Sequence, residues 1–235
     1  WGDPGGTFAV NVVGTVHLLD SLSRCRPVPR VLLISSAEVY GAVRPGELPL
    51  TEEQPFAPVS PYAASKAAAE MAGIQAWLGR GVEVVRARPF SHIGAGQRPD
   101  FVVPSMARQL VEASRTGSRT LMVGNLGARR DFTDVRDVVR AYRLLLEHGE
   151  AGAVYNVCSG VSRPISEIVD RLLALSGLDV EVRVDPARFR PSDLPDLRGD
   201  PSRLTARTGW LPEVDLDRTL ADVLADCTAG DAVSD

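Results

Sequence analysis

The sequence predicts an α/β protein with a parallel sheet, because one strand–helix–strand unit stands out in its first half. Residues 31–34 (VLLI) form a short apolar run, which is typical of a parallel strand buried on both faces. Residues 60–79 predict a helix, since Pro61 suits the first turn, the alanine-rich body has high helix propensity and Gly81 follows its end. Residues 82–85 (VEVV) predict the next strand, which completes the unit.

Apolar periodicity predicts the other elements. Residues 7–23 carry apolar side chains at helical spacing around most of the helix, which indicates a helix covered on two sides. Further helices are expected around residues 103–111, 135–146, 165–173 and 216–224. Further strands are expected at residues 153–158 and 180–184, and a disordered polar tail at residues 229–235.

A long connection, residues 38–59, separates the first strand from its helix and is rich in Pro, Gly and Glu. A loop of this length inside a compact domain usually has a functional role. We therefore expect residues from this connection in the functional site.

The composition excludes several classes of function. The chain has 235 residues, of which 44% are hydrophobic and 24% charged, so it can bury a core and is not disordered. Its net charge of −4 gives it no electrostatic reason to bind a nucleic-acid backbone or an anionic membrane. No apolar run approaches the ~18 residues that a membrane span needs. Neither nucleic acid nor membrane is expected as a partner.

Cysteine and histidine are scattered along the chain. The three cysteines form no C-x-x-C pair, and the three histidines form no H-E-x-x-H motif. The sequence therefore predicts neither a disulfide framework nor a metal site. The expected location is the reducing cytoplasm.

The only lysine of the sequence, Lys66, lies four residues after Tyr62 on the predicted helix. This spacing places both side chains on one face of the helix. A nearby ammonium group favours the phenolate form of tyrosine and is expected to lower the pKa of Tyr62. The pair is therefore a candidate for proton transfer at neutral pH.

Two hydroxyl groups are expected near this pair. Ser35 and Ser36 follow the strand at residues 31–34, and parallel α/β sheets bind ligands at the carboxyl ends of their strands. One of these hydroxyls could hydrogen-bond a substrate oxygen while Tyr62 donates or removes its proton.

The combination of residues 36–41 (SAEVYG) and 62–66 (YAASK) resembles the extended short-chain dehydrogenase/reductases, which include nucleotide-sugar epimerases, dehydratases and reductases. Other segments are similar to motifs of the same family. They are residues 11–15, 88–92, 130–135, 190–193, 199–202 and 209–212. The resemblance covers nearly the whole chain.

The resemblance implies a Rossmann-type doubly wound parallel sheet followed by a smaller C-terminal α/β substrate domain. Residues 1–92 would be the C-terminal part of the dinucleotide-binding domain, and residues 93–228 mainly the substrate domain. Residues 131–160 are expected to pack back on the first sheet. The family also implies a homodimer formed through a four-helix bundle, in which the helix at residues 7–23 and the helix carrying Tyr62 pair with their symmetry mates.

The family resemblance assigns roles to particular residues of the site. It implies Ser36, Tyr62, Lys66 and Glu38 as catalytic residues. It implies an NAD or NADP cofactor, bound by Asn11, Ser35, Tyr62, Lys66, Pro89 and His92. It implies Ser91, Arg130 and Arg190 as substrate-binding residues, of which Arg130 would reach the diphosphate of a nucleotide sugar with its guanidinium fork.

The turn G-x-x-G-x-x-G, on which this family places the cofactor pyrophosphate, does not occur in the sequence. The chain opens at Trp1 in a Gly/Pro-rich stretch, which is typical of an internal loop. We therefore expect the cofactor-binding turn in a segment that precedes Trp1. Without that segment the isolated polypeptide should bind NAD(P) poorly.

Within the family, residues 92–97 (HIGAGQ) and 124–130 (GNLGARR) most resemble GDP-4-keto-6-deoxy-mannose reductases. The expected reaction is hydride transfer to the C4 keto group of a GDP-linked sugar. A GDP-mannose 4,6-dehydratase stays open as a second possibility, because Glu38 resembles the acid/base residue of those enzymes. A nucleotide-sugar 4-epimerase and a non-catalytic nucleotide-sugar-binding protein also stay open.

Overall fold

A parallel sheet forms the N-terminal half of the computed structural model, which describes residues 2–44, 46–189 and 194–231. Its strands are hydrogen-bonded in the order β1 (Val31–Ile34), β2 (Val84–Pro89) and β6 (Val154–Val157). Val31 pairs with Val84, and Arg86 pairs with Val154. The middle strand β2 is buried along its whole length. The predicted α/β fold with a parallel sheet is confirmed.

Helices cover this sheet. The helix α3 (Pro61–Arg80) begins at the side chain of Ser60, which accepts a hydrogen bond from the Ala63 amide, and packs against β2. Gly73 allows the close approach of α3 to the sheet, because a Cβ atom there would lie 2.9 Å from the Leu33 Cδ1 atom. The helix α5 (Val135–His148) packs against β1 and β2.

The N-terminal segment packs against α3. It consists of α1 (Pro4–Phe8), a π-helix (Ala9–Val13) and α2 (Gly14–Ser23). The prediction that this region is covered on two sides stays a prediction for one of them: Leu19 is buried, but Val10 is 74% exposed and Leu18 is 56% exposed. The reason is that α3 covers one side, while none of the described elements covers the other.

The C-terminal half contains two smaller sheets. In one, β5 (Arg129–Asp134) pairs with β3 (Ser91–Ile93), β7 (Ser162–Pro164) and β9 (Asp196–Leu197). The other is the parallel pair of β4 (Thr120–Val123) and β8 (Glu181–Val184). Three helices share a hydrophobic core with these strands, namely α4 (Val102–Thr116), α6 (Ile165–Ser176) and α8 (Leu216–Asp231).

The two halves are interleaved along the chain. After β5, the helix α5 and the strand β6 return to the first sheet before β7 continues the second one. The short helix α7 (Ser202–Thr208) also packs against α5 and β6. Two single turns of 3₁₀ helix, Ala37–Tyr40 and Pro186–Arg188, complete the described secondary structure.

The last helix differs from the prediction at its end. It continues to Asp231, three residues past the expected boundary at residue 228, because no proline or helix-ending turn interrupts the Thr-Ala-Gly-Asp segment. The rest of the predicted tail, residues 232–235, lies outside the described residues. Within the described part of the chain, no helix has the length and apolarity to cross a membrane.

Candidate active site

A cleft of about 1130 Å³ lies between the carboxyl ends of β1 and β2 and the C-terminal half. Most of the site residues predicted from the sequence line it. They are Ser35, Ser36, Glu38, Tyr62, Lys66, Pro89, Ser91, His92 and Arg130. The fold therefore brings together side chains that are up to about a hundred positions apart in the sequence, as expected at the carboxyl edge of a parallel sheet.

The residues after β1 form the floor of the cleft. Ser36 has extended backbone geometry and caps the 3₁₀ helix Ala37–Tyr40, because its hydroxyl accepts a 3.2 Å hydrogen bond from the Glu38 amide. The half-buried Glu38 carboxylate accepts a hydrogen bond from the Ser60 hydroxyl at 3.5 Å. This contact joins the loop that follows β1 to the start of α3.

Tyr62 and Lys66 lie on the same face of α3, as the spacing predicts. The Lys66 ammonium nitrogen lies 5.9 Å from the centre of the Tyr62 ring. The same ammonium donates a 3.0 Å hydrogen bond to the carbonyl oxygen of Ile34, the last residue of β1. The Tyr62 side chain reaches the cleft, and the residue is 41% exposed.

The electrostatics of Tyr62 differ from the prediction. Partial burial raises the pKa of Tyr62, the Glu38 carboxylate raises it further, and a hydrogen bond with the Ser36 side chain lowers it, leaving the pKa above its ordinary value. Burial lowers the pKa of Lys66. The direction is opposite to the lowering expected from Lys66, because burial and the Glu38 carboxylate both disfavour the phenolate.

The cleft offers groups that fit a dinucleotide cofactor. The Ser35 hydroxyl is buried and has no hydrogen-bond partner among the described residues. The Lys66 ammonium has three N–H donors and uses one of them on Ile34, so it can also bind ligand hydroxyl groups. Pro89 ends β2 at the cleft, and the ring of the exposed His92 is fixed by a 3.0 Å contact from its Nδ1 atom to the Phe90 carbonyl oxygen.

Arg130 lies at the C-terminal side of the cleft. Its Nη1 atom donates 2.7 Å hydrogen bonds to the carbonyl oxygens of Arg129 and Leu194, which fix the side chain at the wall. The half-buried Ser91 lies on β3 nearby. Arg190, also predicted to bind substrate, falls outside the described residues.

The buried Asp131 next to Arg130 holds the underlying loops together. Its carboxylate accepts hydrogen bonds from the Ser159 amide and hydroxyl and from the Gly160 and Gly199 amides. Burial raises the pKa of Asp131, although these hydrogen bonds act in the opposite direction. The contacts of Asp131 are therefore structural, whereas its neighbour Arg130 lines the cleft.

Asn11 is not among the residues that line the cleft. Its amide donates a 2.9 Å hydrogen bond to the Ser65 hydroxyl on α3. Because Ser65 is completely buried, this bond fixes the N-terminal π-helix to the helix that carries Tyr62 and Lys66. The structure thus shows Asn11 in contact with the catalytic helix.

Several lining residues were not predicted from the sequence. They include Gln97, Asn125, Tyr142 and Arg188. Burial and the proximity of Tyr62 raise the pKa of Tyr142. The helical pattern of residues 135–146 contained Tyr142 but could not show that this side chain faces the cleft. Gln97 and Asn125 belong to the segments 92–97 and 124–130 that carry the family resemblance, but no role was assigned to either residue, and Arg188 lies in the short 3₁₀ helix Pro186–Arg188 without a pattern that points to the cleft.

Comparison with known proteins places the chain in a family. The family model described as GDP-mannose 4,6 dehydratase matches residues 1–223. The chain belongs to this family. Among the described residues of this GDP-mannose dehydratase family member, no cluster of three or more His, Cys, Asp or Glu side chains could hold a metal ion.

Curated relatives of this family member include a reductase and dehydratases. The chain is 43% identical to the GDP-6-deoxy-D-mannose reductase of Pseudomonas aeruginosa over 225 residues, which are 95% of this chain and 74% of that protein. It is 26% identical to a GDP-mannose 4,6-dehydratase of Vibrio cholerae over 253 residues, covering 94% of this chain and 67% of that protein.

Solved structures agree with the family assignment. The structure of RMD from Pseudomonas aeruginosa complexed with NADPH matches with a TM-score of 0.91 and 41% identity, covering 98% of this chain and 77% of that one. A dTDP-glucose 4,6-dehydratase from Bacillus anthracis in complex with NAD matches with a TM-score of 0.82 and 25% identity, covering 96% and 70%. The Rossmann-like α/β fold implied by the sequence is confirmed.

Proposed function

We propose that this protein is an NAD(P)H-dependent reductase that acts on the C4 keto group of a GDP-linked 4-keto-6-deoxyhexose. The observation that carries the reaction type is the meeting of Ser36, Tyr62 and Lys66 in one cleft at the end of β1. The similarity to GDP-6-deoxy-D-mannose reductase supports the choice of sugar and nucleotide.

Tyr62 is the proton donor in this proposal. When bound, the nicotinamide supplies a hydride to the carbonyl carbon. Tyr62 gives its phenolic proton to the developing alkoxide, and the Ser36 hydroxyl holds the same oxygen by a hydrogen bond. Because the pKa of Tyr62 lies above its ordinary value, the phenol is protonated at neutral pH, as a proton donor must be before it reacts.

Lys66 positions the site. Its hydrogen bond to the Ile34 carbonyl oxygen joins α3 to the end of β1, just before Ser35 and Ser36. The ammonium also places a positive charge 5.9 Å from the phenol ring centre, which favours the phenolate that remains after proton transfer. Ser35, Pro89 and the other two N–H donors of Lys66 would hold NAD or NADP.

Arg130 would bind the diphosphate of the nucleotide sugar. Arg130 lines the same cleft as Tyr62, and a guanidinium fork can bind two phosphate oxygens at once. Ser91 would bind the sugar. This placement supports the predicted division into a cofactor part, residues 1–92, and a mainly substrate-binding part, residues 93–228.

The second candidate is GDP-mannose 4,6-dehydratase activity, and Glu38 is the observation that favours it. Its carboxylate lies in the same cleft as Tyr62 and affects the pKa of that residue. A carboxylate there could remove a proton from the sugar during loss of water. The residues of this cleft are also compatible with 4-epimerase activity.

Product analysis of the intact protein separates these functions. With GDP-4-keto-6-deoxy-mannose and NADPH or NADH, the reductase oxidises the nicotinamide and consumes the ketone. With GDP-mannose alone, the reductase gives no product, whereas a dehydratase forms a 4-keto sugar. Formation of that ketone, or failure to reduce it, would overturn the reductase assignment. A protein that binds GDP-sugar without any turnover would be a binding protein only.

We also propose that the protein forms a homodimer through its N-terminal helices and α3. The apolar side chains Val10, Val13 and Leu18 are exposed on the N-terminal segment, and Met71 and Leu78 are exposed on α3, which packs against that segment. Two such surfaces would pair as a four-helix bundle and remove this apolar area from water. Sedimentation of the intact protein tests the proposal, with Val10→Glu as the variant expected to be monomeric; a wild-type monomer would contradict it.

A further inference from the structure

Three buried side chains lie behind the catalytic cleft, and together they form the Tyr40–Glu70–Arg88 cluster. Glu70 is 0% exposed, Tyr40 is 3% exposed and Arg88 is 4% exposed. Charged side chains are almost never buried to this extent unless they are paired. None of the three has a part in the proposed proton transfer from Tyr62.

The contacts within the cluster are specific. Arg88 donates to both carboxylate oxygens of Glu70, from Nε to Oε1 at 2.9 Å and from Nη2 to Oε2 at 3.0 Å. Its Nη1 atom donates a 3.1 Å bond to the Tyr40 hydroxyl, which in turn donates a 2.6 Å bond to the Asn156 side-chain oxygen. The guanidinium also lies between two aromatic rings, 4.9 Å from that of Tyr40 and 4.7 Å from that of Phe56.

Each member of the cluster belongs to an element that carries a site residue. Tyr40 ends the 3₁₀ helix that Ser36 caps. Glu70 lies on α3 one helical turn after Lys66. Arg88 directly precedes Pro89 at the end of β2. The cluster therefore connects the three chain segments whose relative positions determine the geometry of the site.

We propose that the Tyr40–Glu70–Arg88 cluster positions the site. Although its three side chains do not line the cleft, the cluster sets the distance between the Ser36 hydroxyl and the Tyr62–Lys66 pair. The proposal rests on the reductase function proposed for the cleft. A bidentate ion pair fixes both distance and orientation, and the Tyr40 hydroxyl transmits that constraint to the loop that carries Ser36. Displacement of reacting groups by about 1 Å can cost about 100-fold in rate.

The discriminating variant is Tyr40→Phe, which removes one buried hydroxyl and keeps the ion pair and the ring. Its matched control is Tyr155→Phe, on β6. Tyr155 is 2% exposed, and its hydroxyl accepts a 3.1 Å bond from the Glu150 amide, away from the cleft. Both variants are made in the intact protein and assayed for kcat, for KM of the keto sugar and for melting temperature.

We expect Tyr40→Phe to lower kcat by roughly 10- to 100-fold with little change in KM, while Tyr155→Phe keeps kcat. The two melting temperatures should fall by similar amounts. Equal kcat in both variants, or a loss in Tyr40→Phe that appears only in KM, would overturn the positioning role. If the wild-type protein itself is inactive, the reductase function is overturned instead. The failure of the reductase function can therefore be distinguished from the failure of the positioning role.

Hydrogen–deuterium exchange supplies a readout that needs no turnover. Tyr40→Phe should accelerate amide exchange in the segment Ala37–Tyr40, and Tyr155→Phe should leave it unchanged. Unchanged exchange in both variants would count against the positioning role even if the assay reaction were not the natural one. Arg88→Lys, which keeps the charge but loses the bidentate geometry, should show the same kcat loss.

Discussion

Lys66 on α3 donates a 3.0 Å hydrogen bond to the carbonyl oxygen of Ile34, the last residue of β1. This one bond holds the catalytic helix at the end of the strand from which Ser35 and Ser36 continue. Because the donor and the acceptor lie 32 positions apart, the bond makes the geometry of the site depend on the packing of α3 against the sheet.

Tyr62→Phe should abolish turnover while leaving nucleotide-sugar binding nearly intact. The substitution removes the proton donor but keeps the ring, and general-acid catalysis typically contributes about 10²- to 10⁴-fold in rate. Stopped-flow measurement of nicotinamide oxidation gives the rate, and calorimetry with the GDP-sugar gives the affinity. Equal loss of rate and affinity would contradict the proposed role, and Tyr155→Phe is the control for a lost buried hydroxyl.

Glu38→Gln should move the alkaline limb of the pH–rate profile to lower pH. The Glu38 carboxylate raises the pKa of Tyr62, so removal of its charge lowers that pKa. A reductase needs protonated Tyr62, and its rate is therefore lost as pH rises through a pKa that now lies lower. Steady-state kcat across the alkaline range checks this. A limb that stays in place or moves upward would contradict the electrostatic contact.

The same variant separates the two candidate activities near neutral pH. If Glu38 only adjusts the pKa of Tyr62, keto-sugar reduction by Glu38→Gln persists at neutral pH. If Glu38 removes a proton during dehydration, formation of the 4-keto product from GDP-mannose disappears in this variant. Both reactions can be followed by chromatography of the sugar nucleotides.

Arg130→Lys should weaken binding of the nucleotide sugar more than it slows the chemical step. Lysine keeps the charge but cannot bind two phosphate oxygens with a planar fork. We expect KM for the keto sugar to rise about tenfold with a smaller change in kcat, since a charged hydrogen bond contributes roughly 1.5–3 kcal/mol. Arg163→Lys is the control, because Arg163 forms an ion pair with Glu167 outside the cleft. An unchanged KM would contradict the proposal that Arg130 binds the diphosphate.

The core of the C-terminal half should respond strongly to a cavity. Leu172 is 0% exposed within the cluster formed by α4, α6 and α8, so Leu172→Ala should lower the free energy of unfolding by about 2–5 kcal/mol. Leu211 is 56% exposed, so Leu211→Ala should change the free energy of unfolding by less than about 0.5 kcal/mol. Urea unfolding of both variants measures the difference. Equal effects would contradict the burial of Leu172 between these helices.

The proximity of the proposed catalytic residues could be predicted because their signal is local. The four-residue spacing of Tyr62 and Lys66 defines one helix face, and Ser35 and Ser36 follow an apolar run that leaves little choice but a buried strand. Both features survive folding unchanged, so all four side chains could be assigned to one edge of the sheet in advance.

Other parts of the structure depend on contacts that the sequence does not encode locally. The strand β5 is buried from Asp131 to Asp134 although a charged residue begins this stretch, because Asp131 receives hydrogen bonds from loops about 30 and 70 positions away. Alternation of apolar and polar residues cannot reveal such a strand. The three-residue strands β3 and β7 are too short for any periodic pattern.

The pKa of Tyr62 shows the same limit for electrostatics. The spacing to Lys66 predicted a lowered pKa, but the sign depends on burial in the cleft and on the distance to Glu38, which lies 24 positions earlier. The spacing of residues along a helix predicts which side chains of that helix are neighbours. It does not predict that another segment places a charged side chain, here Glu38, near the same position.

The lone lysine also allows the cleft to be labelled selectively by a chemical reagent. Lys66 is the single lysine among these 235 residues, and burial lowers its pKa, which enlarges the fraction that is neutral and nucleophilic. Within these residues, an amine-reactive acylating reagent should therefore tag one lysine side chain, which lines the cleft. Mass spectrometry of that tag, with and without nucleotide sugar, would report occupancy of the pocket directly and without a functional assay.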